Sequence, residues 1–212
     1  MYTKKEYNYL KKKYGQYSSW AIWNCDEDKK CHISKQRDTA LIDTHCRELH
    51  TRYVFLGLNI ASPLKEAPWS NFHGGKNDRK LVYACNNNKK LRGAYLTDIF
   101  KGIPTTRATQ LERKIKGDPK IIQKHVDLFN KEMADIKVTR DTVFIILGVE
   151  GSLVSDYFKN HFQKEQKVIG IKDSDRFKNY YHYSCYKKSD EGWVNGLWNK
   201  LGINKKFKKP KS

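Results

Sequence analysis

The stretch Tyr53-Val54-Phe55-Leu56-Gly57-Leu58-Asn59-Ile60-Ala61-Ser62-Pro63, YVFLGLNIASP, decides the fold class of this chain. It opens as a continuous apolar run and stops at a polar asparagine followed by small residues. An apolar run without alternation suits a strand buried on both faces, as in a parallel sheet covered by helices. The stretch therefore predicts a strand over 53–58 that delivers Asn59 at its carboxyl end.

The neighbouring segments extend this pattern. Arg37–His50 has helical spacing, with Ala40, Leu41 and Leu49 on one face. Residues 1–24 read as a basic helix followed by an aromatic segment. Pro63–Asp78 is a long loop rich in Pro, Gly, Asn and aromatics, of a length that usually serves function. Helices are expected over Asp78–Asn86, Pro119–Ile136, Ser152–Phe162 and Asp190–Leu201. The second has proline at its start and Ile122, Val126, Phe129 and Met133 in phase. Strands are expected at Ala94–Ile99, at Thr142–Gly148 and around Tyr180–His182, and a loop with a broken helix over Lys101–Asp118. Strands alternating with helices predict a three-layer α/β/α sandwich with a mainly parallel four-stranded central sheet. Residues 1–212 form one domain in this scheme. Residues 1–50 are a helical extension packed on it, and 204–212 a basic flexible tail. Binding residues of such sheets collect at the strands' carboxyl ends, which singles out Asn59, Asp98, Glu150 and His182.

Charge narrows the partners. The chain has 42 Lys and Arg against 23 Asp and Glu, a net charge of +19. Such an excess costs self-repulsion and points to a polyanion. Aromatics at 13% add stacking and cation–π capacity, which favours nucleic acid. No apolar run is long enough to span a bilayer. The first residues carry charge without an apolar core, so no secretory signal is read and a cytoplasmic location is expected. The five cysteines, Cys25, Cys31, Cys46, Cys85 and Cys185, are odd in number, which argues against a disulfide framework. Cys25, Cys31, His32, His45 and Cys46 match no common zinc-finger spacing. No metal and no organic cofactor are expected.

Three motifs in order resemble the uracil-DNA glycosylase superfamily: GLNIASP after the first strand, LTDIFK on the second and HYS after the last. The pattern covers about residues 53–190. The resemblance implies an enzyme that flips a base out of DNA and hydrolyses its N-glycosidic bond. Asn59 would position the attacking water, as in the branch with Asn in the first motif, although Ile60 replaces that branch's proline. Phe72 would stack on the extruded base, with Trp69 as substitute. His182 would stabilise the departing base in a His-Pro-Ser-type motif whose proline is Tyr183 here. Ser62, Lys101, Arg107, Ser184 and Tyr186 are the expected DNA contacts, and Cys185 would sit with Tyr186 in the duplex. Single- or double-stranded DNA is the expected partner of a monomeric enzyme.

Two departures bear on the base. Where the uracil-specific branch blocks the C5 side with an aromatic residue, this chain has Ala61. Where family members carry Asn to read uracil, it has Asp98. A carboxylate accepts hydrogen bonds, and the cytosine N4 amino group donates them. Together these residues predict a 5-substituted, phage-type cytosine as substrate and a role in antiviral defence. The alternatives are a uracil or mismatch repair glycosylase and a non-catalytic nucleic-acid-binding protein on the same scaffold. Gly148–Ser152 lacks the lysine and spacing of a P-loop. A nuclease would need an acidic cluster, whereas Asp98, Glu150 and Asp173 lie on separate segments.

Overall fold

Strand β2, His50–Asn59, contains the apolar run and lies at the centre of a five-stranded sheet. The computed structural model describes residues 2–25, 39–60, 67–73, 77–116, 118–162, 174–203 and 205–209 of the chain. In chain order the elements are α1 (Lys4–Tyr14), β1 (Ser18–Trp20), α2 (Ala40–Thr44), β2, α3 (Arg79–Asn86) and β3 (Ala94–Phe100). They continue as α4 (Ala108–Ile115), α5 (Pro119–Asp135), β4 (Val143–Leu147), α6 (Leu153–Tyr157), β5 (Phe177–Tyr180) and α7 (Asp190–Lys200). A π-helical turn, Phe158–Phe162, follows α6 directly.

The strand order is β1-β3-β2-β4-β5. Strands β2 to β5 are mutually parallel, with Leu56 opposite both Thr97 and Ile146. They correspond to the four strands expected from the sequence, except that the last was expected around Tyr180–His182 and instead ends at Tyr180. The fifth, β1, pairs antiparallel with the outer edge of β3, Ser18 opposite Thr97. It escapes sequence reading because three buried residues, Ser-Ser-Trp, carry no alternation. The amino-terminal segment is thus part of the sheet rather than only a helix packed on it. The helix expected over Arg37–His50 is shorter, ending as a 3₁₀ turn at Cys46–Glu48, because His50 already belongs to β2.

Side-chain alternation divides the core into two layers. Val54, Leu56, Tyr95, Phe144 and Ile146 face α1, α4, α5 and the α6 turn. Phe55, Leu96, Ile145 and Leu147 face α3 and α7. Each fully buried large side chain contributes about 1.5–3 kcal/mol of transfer free energy. All five tryptophans, Trp20, Trp23, Trp69, Trp193 and Trp198, are buried in this way. None is left at the surface to stack on nucleic acid.

Local signals set the helix ends. Thr3 and Glu6 cap α1 reciprocally. Asp118 accepts the Lys120 and Ile121 N–H groups ahead of Pro119 at the start of α5. Within the carboxyl-terminal segment expected to be flexible, the described residues 205–209 are anchored at Phe207, which is buried against Tyr83 and Trp198 and whose N–H and carbonyl both bond to the Asn195 side chain.

Candidate functional site

A cavity of about 660 Å³ opens at the carboxyl ends of the parallel strands, within the usual range for ligand sites. Asn59, Phe72, Asp98 and His182 all line it. The sequence expected these four to act together, and the fold brings them to one place.

Asn59 ends β2 and is half-buried. Its Nδ2 donates to the carbonyls of Ile60 (2.8 Å), Ile103 (3.0 Å) and Thr105 (3.2 Å) and lies 3.0 Å from Thr105 Oγ1. Three carbonyl oxygens around one atom fix it as the amide nitrogen. Oδ1 accepts no hydrogen bond from the described residues and remains an acceptor for a cavity ligand or water. The Ile60 carbonyl also accepts the Thr105 N–H at 3.1 Å, so Ile60 joins β2 to the 101–107 loop.

Asp98 lies on β3 and is only 3% exposed. Its Oδ2 accepts from Asn71 Nδ2 at 2.9 Å, and Oδ1 accepts nothing from the described residues. A methyl group at Gly57 would come within 2.2 Å of that Oδ1. Only glycine on β2 lets the carboxylate lie so close across the strand. Burial raises the carboxyl to about 6, against the lowering effects of the Asn71 hydrogen bond and the nearby Lys101 charge.

His182 follows β5. Its Nδ1 accepts the Ser184 N–H at 3.2 Å and lies 2.6 Å from Ser184 Oγ. An accepting Nδ1 puts the proton of the neutral ring on Nε2. Desolvation lowers its pKa to about 4, so the ring is neutral at physiological pH. Its turn is held from two helices. Lys80 of α3 donates to the carbonyls of Cys185 (2.6 Å) and Lys188 (2.9 Å), and Trp193 of α7 to the carbonyl of Tyr181 (2.9 Å).

Phe72 is buried on the cavity wall, with Tyr183 standing across it at 64° and 6.3 Å between centroids. Phe72 and Trp69 both have left-handed backbones, with φ of 64° and 72°. That conformation is strained for bulky residues and persists only when surroundings impose it. The amino-terminal segment imposes it here. Trp69 N–H donates to Gly15 O (2.6 Å), Ser19 Oγ to Trp69 O (2.6 Å), and Asn71 Nδ2 to Tyr17 O (2.7 Å).

Other expected site residues fall elsewhere. Trp69 does not line the cavity; it is buried among Tyr7 and Trp20, and its indole N–H donates to Tyr7 OH. Lys101 is buried, not at the surface. Its Nζ pairs with Glu132 at 2.6 Å and donates to Thr97 Oγ1 and the Asp98 carbonyl. Its charge acts on Asp98 from behind instead of on a phosphate. Arg107 is exposed beside the lining residues Thr106 and Ala108. Ser184 is exposed and engaged with His182, while Tyr186 is 88% exposed. Cys185 lines the cavity and is a free thiol. Glu150 is exposed and outside the cavity lining. Ala61, Ser62, Cys31, His32 and Asp173 lie outside the described residues.

Several cavity residues were not singled out from sequence. Asn71 orients Asp98, and Ser152 Oγ is buried at the cavity without a hydrogen-bond partner among the described residues. Tyr183 lines the cavity between two recognised residues. The only sequence signal for Asn71 was its place in the loop that supplied Phe72. Among the described residues no cluster of His, Cys, Asp and Glu is arranged to hold a metal ion, and no helix is long and apolar enough to cross a membrane. No protein-family model, curated protein or solved structure matches the chain.

Proposed function

We propose that the chain is a monofunctional DNA glycosylase. It takes a base out of the stack and hydrolyses the N-glycosidic bond, leaving an abasic site. The observation that carries this reading is the polar arrangement of the cavity. An acceptor with a fixed orientation, Asn59 Oδ1, and a neutral imidazole donor, His182 Nε2–H, line one cavity with an aromatic ring, Phe72.

The chemistry suits these groups. Breaking the bond builds positive charge on the sugar and negative charge on the departing base. A donor aimed at the base oxygen lowers that barrier, and loss of one such donor typically costs about 10²–10³-fold in rate. A neutral histidine donates this hydrogen bond without first having to be protonated. Asn59 cannot deprotonate water but holds it for attack on the sugar. At the cavity, Val149 and Tyr181 are exposed, with Lys188 over the Tyr181 ring at 4.5 Å. Aromatic and cationic groups of this kind support the contact with unpaired nucleic acid that extrusion of a base requires.

The substrate we favour is a 5-substituted cytosine of the type found in modified phage DNA, and a defence role follows from it. The buried acceptor Asp98 supports that choice over plain uracil, whose O4 it would repel. The test is an abasic-site assay on single- and double-stranded oligonucleotides carrying uracil, G·T and G·U mismatches, 5-hydroxymethylcytosine and its glucosylated form. Alkali-labile breaks at the modified cytosines are expected, and Asn59→Ala or His182→Ala should lower their rate at least ~100-fold while DNA binding persists. Breaks at uracil or mismatches alone would make it a repair enzyme. Tight binding with no breaks on any substrate would make it a non-catalytic binder.

A further inference from the structure

Tyr183 occupies the place where the resembled family carries proline. Its ring stacks on His182, with centroids 4.2 Å apart, and stands across Phe72. A base lying parallel to Phe72 would therefore meet Tyr183 along an edge rather than by stacking. The hydroxyl makes no hydrogen bond with any described residue, although the residue lines the cavity. Tyr183 is half-buried on the cavity wall, so its hydroxyl is open to whatever fills the cavity. Burial together with the Asp78 and Asp98 carboxylates holds the phenol proton on well beyond its ordinary range. The hydroxyl therefore remains a donor at any physiological pH.

We propose that Tyr183 and Asp98 together read the Watson–Crick edge of the extruded base, the Tyr183 hydroxyl donating to ring N3 and Asp98 Oδ1 accepting from the N4 amino group, so that the cavity selects a cytosine-type base. This rests on the glycosylase reading of the cavity. The order of the groups supports it. His182 stacks on Tyr183, Tyr183 stands across Phe72, and the Phe72 ring and Asp98 Oδ1 meet over Gly57. A base whose O2 faces His182 and whose position 4 faces Asp98 presents N3 to Tyr183. That nitrogen is an acceptor in cytosine and a donor in uracil and thymine. Asp98 cannot turn to suit uracil, because Asn71 holds its other oxygen and Gly57 lies under Oδ1.

The test compares the wild type with Tyr183→Phe, which keeps both ring contacts and removes only the hydroxyl. Single-turnover excision would be measured on matched oligonucleotides carrying 5-hydroxymethylcytosine or uracil at one position. The expected result is a wild-type preference for the cytosine that narrows by about 10–100-fold in the variant. An unchanged ratio would overturn the pairing, as would a wild type that prefers uracil, and both would leave the glycosylase reading standing. A wild type that excises neither of these two bases leaves the glycosylase reading to the full panel above, which overturns it if no substrate is broken. The preference is then read from equilibrium binding of the same oligonucleotides. There the same narrowing sustains the pairing, and its absence overturns it.

Discussion

At the scale of single residues, Asp98 ties stability to pH. A buried carboxyl raised to about 6 binds its proton more tightly in the folded chain than in the unfolded one, where its ordinary value is about 3.9. The fold is therefore favoured most below the unfolded value and loses stability as pH climbs through about 6, by on the order of 2–3 kcal/mol. Asp98→Asn removes this titration. It should raise the melting temperature relative to wild type at pH 8, and the gap should close below about pH 4. Activity should move the opposite way. If the ionised carboxylate accepts from the base, kcat/KM rises about tenfold per pH unit up to about 6 and then levels. Asp98→Asn should erase that inflection, and a wild-type profile flat between pH 5 and 8 would contradict it. These residues were only partly legible in the sequence. Asn59, Asp98 and His182 could be found because strand ends are places to look. Tyr183 lies inside the HYS motif but gives no signal of its own there, because its contacts with Phe72 and His182 exist only in the folded chain.

At the scale of elements, the buried ion pair joins α5 to β3. Lys101 and Glu132 are almost wholly inaccessible, and Glu132 also accepts from Tyr95 OH (2.8 Å) and Thr97 Oγ1 (2.9 Å). Taking one partner from such a pair leaves an uncompensated charge and costs about 3–5 kcal/mol. Lys101→Met should lose about that much in urea unfolding, while the DNA affinity of the folded fraction stays unchanged. A phosphate-contacting lysine would show the reverse. Sequence alone cannot separate these roles. A lysine just past a strand looks like any surface cation until the helix carrying Glu132 is seen to pack over it. The parallel strands and α5 were legible because burial on both faces and helical phase repeat over many residues. The edge strand β1 was not, because its placement depends on β3, far along the chain.

At the scale of the whole molecule, a net charge of +19 predicts salt-sensitive binding. Neutralising roughly five phosphates would weaken DNA affinity about 10²–10³-fold between 50 and 200 mM salt. A near-flat titration would mean that the excess charge serves solubility instead. The fold also brings the two ends of the story of assembly together. Strand β1 pairs with β3, and the Phe72 loop hangs by hydrogen bonds from Gly15, Tyr17 and Ser19. On a ribosome adding about 5–20 residues per second, Ser18 emerges roughly 4–16 s before Thr97. Through that interval an aromatic segment waits for its neighbour strand, a hazard for association with other nascent chains. The earlier-made segment thus completes the sheet late, and Phe72 takes its strained backbone only once that segment has docked.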